Sequence, residues 1–318
     1  MRIVILSRSS TIPSTRRLVE VAKSRGHAVR VLDPVKVKMH IDATSATLYY
    51  KREKLGPCDV VIPRIAQSVN VYGLAVLNQF EIQGVALMNS TQAIAQARNK
   101  MRALQLLSAN GVDIPATVMA TDARDLKAMV KLVGGVPVLV KLLQGQEKSG
   151  MMVCETLQSL EAALEAVLGL GHNLIVQQYV RKPGHDLRVM VVGGEVVASV
   201  RRIPKVGRMA HTLQRGARLE NCDLTEAQRK AAVAAARLMG LEVCAVDILD
   251  VKGSPRVFEV NASPAITQIE QVTSVDLASR IIERAERLLA EMPPPSRPRK
   301  QRTSREPARS PRAQDGRS

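Results

Sequence analysis

Short apolar segments alternate with longer amphipathic segments over the first hundred residues of the chain. Apolar runs bounded by polar or turn-forming residues predict buried strands, here at residues 3–6, 28–32, 60–62 and 85–87. Helical spacing predicts two helices, at residues 14–25 and 72–83. Ser14 or Thr15 is expected to cap the first helix, and Gly26 to end it. Strands that alternate with helices are typical of a parallel, doubly wound α/β sheet.

The pattern changes near residues 89–111, where we place the boundary between two structural regions. One long helix is expected across it, capped by Asn89 or Ser90 and ended by Gly111. Beyond it, apolar segments predict strands at 116–119, 136–143, 151–154, 173–179, 186–192, 195–202, 242–251 and 256–260. Helices are expected at 122–132, 157–168, 225–239 and 274–291, the third with a capping box from Thr225 to Gln228. Gly193-Gly194 is typical of a hairpin turn between the strands at 186–192 and 195–202. We therefore expect this region to be α+β, with antiparallel strand pairs.

The composition limits the classes of protein that fit the chain. A length of 318 residues predicts two domains, at roughly 150 residues each. Aromatic residues make up 2% of the chain, too few for a surface that stacks on nucleic-acid bases. No apolar run approaches the ~18 residues of a membrane helix, and the cysteines form no C-x-x-C pair. A cytoplasmic protein without a membrane partner is therefore expected.

The positive charge is partly concentrated at the C-terminal end. The chain carries a net charge of +17, and residues 293–318 hold eight basic residues against two acidic ones. This Pro-, Ser- and Arg-rich segment has almost no apolar residues, so we predict a disordered basic tail. Two interpretations stay open for it, a solvated charge run and a contact with RNA. The rest of the chain is also positive, which favours anionic partners.

Three oxygen-bearing side chains converge near residue 250 in the predicted fold. If the last two strands form a hairpin centred on Gly253, Asp247 lies opposite Glu259. Asn261 lies two residues further along, on the same face as Glu259. Oxygen ligands without His or Cys suit Mg²⁺ or Mn²⁺. The alternative is that these residues line the solvent-facing side of an antiparallel sheet.

Two further features bear on an anionic ligand. Lys141 lies within an apolar strand, where an unpaired ammonium is costly to bury, so it either reaches the surface or meets an anion. The loop at residues 145–150 contains two glycines and is either a phosphate-covering loop or an ordinary hairpin connection. It lacks the order of a Walker phosphate loop.

Several segments together resemble the RimK-type α-L-glutamate ligases of the ATP-grasp superfamily. The resemblance spans nearly all of residues 1–290 and is most specific in Phe258-Glu259-Val260-Asn261-Ala262-Ser263-Pro264. Further matching segments are Ile5-Leu6-Ser7-Arg8, Val61-Ile62-Pro63-Arg64-Ile65, Ala97-Arg98-Asn99-Lys100, Val140-Lys141-Leu142, Gln177-Gln178-Tyr179, Asp186-Leu187-Arg188, Arg215-Gly216 and Val246-Asp247-Ile248. The resemblance implies a doubly wound pre-ATP-grasp domain at 1–95 and a two-lobed ATP-grasp domain at 96–292. Its lobes would cover about 104–180 and 181–292, with the tail at 293–318.

The resemblance also implies roles for individual residues. Lys100 and Lys141 would contact ATP, Gln178 and Tyr179 would form the hinge segment that binds adenine, and Asp186 would hold the ribose. Asp247, Glu259 and Asn261 would bind two Mg²⁺ or Mn²⁺ ions. Arg188, Arg202 and Arg215 would contact the γ-phosphate or the acceptor carboxylate.

The implied activity is an ATP-dependent carboxylate–amine ligation through an acyl phosphate. Relatives of this type add L-glutamate to the C-terminus of a ribosomal protein and assemble as homo-oligomers. Two alternatives stay open: an ATP-grasp ligase for another amino acid or carrier protein, and a catalytically impaired ATP-binding protein associated with RNA or the ribosome.

The sequence departs from the family pattern at four notable positions. Lys148 stands where a glycine is usual, and Gln178 replaces a usual Glu. Ala210 and Thr212 stand where the family usually has Arg and Asn. Altered substrate choice, slower turnover and lost catalysis are the three outcomes that these departures leave open.

Overall fold

The computed structural model describes residues 1–120, 122, 124–142, 151–171, 173–180, 184–204, 217–251 and 253–292. Lys148, Ala210, Thr212, Arg215 and the tail at 293–318 lie outside these residues. Within them, no helix is both long and apolar enough to cross a membrane.

The N-terminal region is built around a parallel sheet, as the alternation of strands and helices predicts. Its elements are β1 (Arg2–Leu6), α1 (Pro13–Ser24), β2 (Ala28–Leu32), β3 (Val37–Ile41), β4 (Ala46–Tyr50), β5 (Glu53–Lys54), β6 (Val60–Pro63), α2 (Asn70–Ile82) and β7 (Ala86–Leu87). The sheet has the order β2-β1-β6-β7 and all its pairs are parallel. Strands β3, β4 and β5 form a separate antiparallel sheet, which the sequence analysis missed.

The second region contains two antiparallel sheets. Its elements are α3 (Thr91–Arg98), α4 (Lys100–Ala109), β8 (Thr117–Ala120), α5 (Leu126–Leu132), β9 (Val138–Leu142), β10 (Met151–Cys154), α6 (Leu157–Gly169), β11 (Leu174–Gln178), β12 (Asp186–Val192), β13 (Glu195–Ile203), β14 (Arg218–Asn221), α7 (Glu226–Met239), β15 (Val243–Val251), β16 (Ser254–Asn261), α8 (Thr267–Thr273) and α9 (Leu277–Glu291). The smaller sheet has the order β10-β9-β11-β8, and the larger has the order β14-β13-β12-β15-β16.

Both faces of the larger sheet are covered by helices of the second region. Helix α7 contacts β15 and β16 on one face, and it also contacts α3 and α4. Helices α8 and α9 contact β13 from the other side, and α9 packs against α1 of the N-terminal region. The smaller sheet has its own core, formed with α5 and α6. The N-terminal sheet and the larger sheet therefore share apolar clusters, whereas the smaller sheet packs separately.

Three predictions about helices were wrong in detail. The long helix expected at 90–110 is two helices, because Asn99 leaves the helical conformation and its side chain accepts a hydrogen bond from the backbone N–H of Arg102. Helix α1 begins after Ile12 without a side-chain cap, with Pro13 at its first position. The final helix begins at Leu277 rather than at 274, and the separate helix α8 precedes it.

Asn89 ties the N-terminal region to the larger sheet. Its buried side chain donates to the carbonyl oxygens of Val243 and Ala262, at 2.8 and 3.0 Å. It also accepts hydrogen bonds from the backbone N–H groups of Glu242 and Val243, at 2.8 and 3.0 Å. One amide group therefore satisfies four backbone groups where β15 begins and where β16 ends.

We expect Asn89→Ala to lower the free energy of unfolding by about 3 kcal/mol, because it leaves buried backbone groups unpaired. Urea unfolding of the full chain measures this change. Asn78→Ala is the matched control, since Asn78 is exposed on α2, and it should change stability by less than about 0.5 kcal/mol. Equal effects of the two substitutions would contradict the role of Asn89.

Candidate active site

A cavity of about 320 Å³ lies where the N-terminal region and the two antiparallel sheets meet. Its walls come from the loops after β1 and β6, from α3 and α4, from β9 and β11, and from residues 258–263 at the end of β16. Because it is bordered by three separate parts of the fold, its contents can contact all of them at once.

The charges around the cavity favour an anion. Its lining contains four basic residues, Arg64, Arg98, Lys100 and Lys141, and one acidic residue, Glu259. In a site partly closed off from water, such an excess of positive charge is costly unless an anion compensates it. A polyanion such as a nucleotide phosphate chain fits this requirement.

Lys141 is the most strongly perturbed of these bases. It is 3% exposed, and its ammonium nitrogen lies 5.2 Å from the centroid of the Phe258 ring. Burial, opposed by the nearby charge of Glu259, lowers the pKa of Lys141 to about 8. The sequence predicts that the Lys141 ammonium either reaches the surface or meets an anion. In the structure Lys141 lines the cation-rich cavity.

The pairing of Asp247 with Glu259 is confirmed, although the hairpin is not centred on Gly253. Val251 pairs with Ser254 and Ile248 pairs with Val257, whereas Asp247 pairs with Glu259. The register therefore shifts by one residue at a β-bulge between Asp247 and Ile248, where Phe258 is the extra residue of β16. Without this bulge Asp247 would lie opposite Phe258, so a single extra residue brings the two carboxylates together.

Two guanidinium groups neutralise Asp247. Arg188, which pairs with Asp247 across β12 and β15, donates to both of its carboxylate oxygens, at 2.8 and 2.7 Å. Arg202 lies 2.9 Å from Asp247 and 2.5 Å from Asp186. Burial favours the neutral acid, but Arg188 and Arg202 outweigh it and hold the pKa of Asp247 below its ordinary value.

For Asp186 the effect of burial on the pKa outweighs that of the neighbouring arginine, the opposite of Asp247. It lies at the start of β12, opposite Arg202 on β13. Burial raises the pKa of Asp186 against the opposing effect of the Arg202 guanidinium. In this arrangement the Asp186 carboxylate is buried in an ion pair, so its implied contact with a ribose stays a prediction.

Glu259 and Asn261 are the two members of the predicted metal set that line the cavity. Among the described residues no hydrogen bond or ion pair engages the Glu259 carboxylate. Asn261 accepts a hydrogen bond from the Ser263 backbone N–H at 2.8 Å, and the buried Ser263 hydroxyl finds no hydrogen-bond partner in the described part of the chain.

This donor set fits Mg²⁺, a hard cation that takes one or two protein carboxylates and leaves other positions to water and phosphate. Among the described residues no cluster of three or more His, Cys, Asp and Glu side chains could hold a metal. Asp247, with its two guanidinium partners, is the member of the predicted set least available to a cation.

The remaining predicted residues lie around this centre. The Lys100 ammonium is 3.5 Å from the Leu142 carbonyl oxygen. At the end of β11, the Gln178 side-chain oxygen accepts a hydrogen bond from Arg256 at 2.8 Å. The Gln178 backbone N–H donates to the Ala116 carbonyl oxygen at 2.8 Å.

The cavity also contains residues to which the sequence analysis gave no role. Ser7 and Thr15 line it from β1 and α1, and Arg64 and Arg98 line it from β6 and α3. One available signal was that Ser7 directly follows one predicted parallel strand and Arg64 lies two residues beyond another, and ligands of open α/β sheets bind outside the carboxyl ends of strands.

Comparisons with known proteins agree with this architecture. The RimK pre-ATP-grasp domain matches residues 1–94 and the RimK-like ATP-grasp domain matches residues 97–285. A probable alpha-L-glutamate ligase of Thioalkalivibrio sulfidiphilus is 45% identical over 283 residues, which cover 89% of this chain and 94% of the relative. A ribosomal protein bS6--L-glutamate ligase of Escherichia fergusonii is 43% identical over 288 residues, covering 90% and 96% of the two chains.

Solved structures show the same fold at lower identity. The ATP-grasp ligase PsnB in complex with a minimal precursor has a TM-score of 0.72 at 22% identity, covering 92% of this chain and 99% of its own. A D-alanine--D-alanine ligase of Bacillus anthracis in complex with ATP has a TM-score of 0.66 at 16% identity, covering 91% and 97%.

These matches confirm the fold class expected from the sequence, a doubly wound pre-ATP-grasp domain followed by an ATP-grasp domain. The family models together span most of the described chain, and the relatives align over nearly their whole lengths. The chain belongs to the RimK-like ATP-grasp family.

Proposed function

We propose that the protein is an ATP-dependent ligase that joins the amine of L-glutamate to the C-terminal carboxylate of an acceptor protein. The observation that carries the proposal is the cation-rich cavity whose lining includes Glu259, a carboxylate that no other described residue engages. The names of the relatives with 43–45% identity, alpha-L-glutamate ligase and ribosomal protein bS6--L-glutamate ligase, support the choice of glutamate and of a protein acceptor.

The reaction has two steps that need no nucleophilic side chain. An oxygen of the acceptor carboxylate attacks the γ-phosphorus of ATP, and ADP leaves, which gives an acyl phosphate. The neutral amine of glutamate then attacks the acyl carbon, phosphate leaves with the electron pair of the broken C–O bond, and the amine nitrogen loses a proton to water. The first step brings two anions together, so the site must supply positive charge.

The described residues can supply this charge from the cavity wall. Lys141 and Lys100 are proposed to bind the phosphates there. Arg188 and Arg202, whose charges Asp247 and Asp186 offset in this arrangement, remain proposed contacts of the γ-phosphate or the acceptor carboxylate. Gln178 and Tyr179 remain the proposed adenine segment, and Asp186 the proposed ribose ligand. Arg215, outside the described residues, remains a proposed contact of phosphate or acceptor.

Glu259 and Asn261 are the residues that would hold Mg²⁺ in this site. When bound, the cation would offset the negative charge of the phosphates. A solved complex of PsnB with a minimal precursor, Mg and ADP supports magnesium for that ligase. The use of Mn²⁺ and the binding of two ions stay proposals, and a second ion would require Asp247 to exchange a guanidinium partner.

The proposal extends to the setting of the reaction. A ribosomal acceptor implies a cytoplasmic location, and the +6 charge of residues 293–318 would allow the tail to contact ribosomal RNA. Assembly as a homo-oligomer is a further expectation that the family resemblance carries.

The decisive experiment incubates the purified chain with Mg-ATP, single amino acids and peptides with acidic C-termini. We expect ADP release that needs both glutamate and peptide, with glutamyl residues added to the peptide in mass spectrometry. A peptide with a C-terminal amide is the matched control, because it has no carboxylate to phosphorylate. Turnover with a different amino acid would indicate the other ligase class, and nucleotide binding without turnover would indicate an impaired enzyme.

Lys141→Met should separate stability from nucleotide binding. The ammonium is buried at a cost that is fully present below pH 8 and disappears as the pH rises towards 10.5, its ordinary pKa. We therefore expect the variant to be more stable by about 2 kcal/mol at pH 7 and by less at pH 10. Mg-ADP affinity should fall by about tenfold or more.

Urea unfolding and calorimetric titration measure these two quantities. Lys127→Met is the control for the lysine, since Lys127 is exposed on α5 in the same sheet region. A Lys141→Met variant that is less stable at pH 7, or that binds Mg-ADP as wild type does, contradicts the assignment.

Glu259→Gln should raise the Mg²⁺ concentration needed for half-maximal nucleotide binding by about tenfold or more, because an amide oxygen is a weaker ligand than a carboxylate. Titration of Mg²⁺ at fixed ADP, followed by calorimetry, measures the shift. The control Glu195→Gln changes an exposed carboxylate on β13 of the same sheet and should behave as wild type. An unchanged magnesium requirement in Glu259→Gln would remove this residue from the proposed metal site.

A further inference from the structure

The N-terminal sheet has a point at which the order of its strands reverses. The chain passes from β1 to β2 on one side, and later places β6 on the other side of β1. Such a reversal opens a crevice outside the carboxyl ends of the two central strands, where ligands of open α/β sheets bind. Here the residues that follow these two strands line the cavity described above.

Polar side chains occupy this crevice. Ser7 directly follows β1 and Arg64 directly follows β6, and both line the cavity together with Thr15 and Ser68. We refer to these four residues as the switch-point pocket. The backbone N–H of Arg64 donates to the Leu6 carbonyl oxygen at 2.8 Å, which fixes the start of this loop against β1.

The floor of the pocket is rigid and buried. The hydroxyl oxygens of Ser7 and Thr15 lie 2.8 Å apart, and these residues are 1% and 0% exposed. Helix α1 begins beside them at Pro13 without a side-chain cap, so the positive end of its dipole adds to the charge of Arg64.

Arg98 supports the loop that carries Arg64. Its guanidinium donates to the Asn70 side-chain oxygen and to the backbone carbonyl oxygen of Ile65. Because Ile65 is the next residue after Arg64, Arg98 acts as a positioning residue for the pocket. No acidic residue of the N-terminal region is among the described residues that line the cavity, so these residues offer no carboxylate to an ammonium ion.

The proposed reaction requires a site of this kind. The incoming glutamate reacts through its amine and keeps both carboxylates, each of which must be held in a charged state. Its amine must be neutral to attack, which suits a pocket that lacks a carboxylate to stabilise an ammonium.

We propose that the switch-point pocket binds a carboxylate of the incoming free amino acid through Arg64 and the neighbouring hydroxyl groups. This inference rests on the proposed function. It assigns the two sides of the cavity to different substrates, with nucleotide between Lys141 and Glu259 and the free amino acid between Ser7 and Arg64. The buried floor favours a small free molecule over the acceptor, because a polypeptide must keep the rest of its chain in solvent.

Arg64→Met tests the assignment, with Arg8→Met as the matched control. Arg8 also follows β1, but its side chain is 45% exposed and pairs with Asp33 at 3.1 Å, and it does not line the cavity. We expect Arg64→Met to raise the KM for glutamate by about 30-fold, with the KM for the acceptor peptide and the affinity for Mg-ADP unchanged. Arg8→Met should leave all three values unchanged, and Arg64→Lys should recover part of the loss.

A binding measurement keeps the test independent of turnover. Calorimetric titration of L-glutamate into the full chain with Mg-ADP present should show binding that Arg64→Met removes and Arg64→Lys partly restores. If wild type binds glutamate in this way but forms no amide, the proposed function fails and the pocket stands. If Arg64→Met misfolds in thermal unfolding, Arg64→Lys carries the comparison.

Three results would overturn the inference. A raised KM for the peptide alone would give the pocket to the acceptor carboxylate. A matching loss of Mg-ADP affinity would place Arg64 in the phosphate site. Unchanged glutamate binding in Arg64→Lys and Arg64→Met would leave the pocket without this ligand.

Discussion

The site depends on the register between β15 and β16. A one-residue slip in a sheet turns every side chain to the other face, and the bulge at Phe258 supplies one such step between Ile248 and Asp247. It brings Asp247 and Glu259 opposite each other. Phe258, the extra residue of the bulge, is also the residue whose ring lies beside the Lys141 ammonium. The bulge therefore affects a contact between the larger sheet, which contains Phe258, and the smaller sheet, which contains Lys141.

Two adjacent carboxylates repel each other, and the surroundings of Asp247 and Glu259 differ in the positive charge that they provide. Asp247 receives Arg188 and Arg202, and Arg202 in turn pairs with Asp186. The four groups form a buried network with two positive and two negative charges, which avoids an uncompensated charge in a medium of low dielectric constant. Among the described residues Glu259 has no such partner, and it lines the cavity, where it is the carboxylate available to a cation.

The sequence predicted helix starts and strand bounds correctly where the signal lies within a single helix or strand. The capping box of Thr225 and Gln228 begins α7 as expected, and β10 and β12 have the expected bounds, because alternation and capping act over a few residues. Strands β3, β4 and β5 were missed, although the apolar and polar residues of β3 alternate in Val37-Lys38-Met39-His40-Ile41 and so provided a signal for a strand. Asn99 ended one helix and began the next because its side chain competes for backbone N–H groups, a choice that a continuous helical pattern conceals.

The sequence by itself determined the family, the two-part fold and the identity of the cavity residues Lys100, Lys141, Glu259 and Asn261, since these follow from local patterns and a specific motif. Only the tertiary structure decided that two arginines engage Asp247, that Asp186 is buried in an ion pair, and that Ser7 and Arg64 line the same cavity as Lys141. The physical reason is that these contacts join residues far apart in the chain. Their partners are set by strand order, register and the packing of three separate parts, which no short segment of sequence encodes.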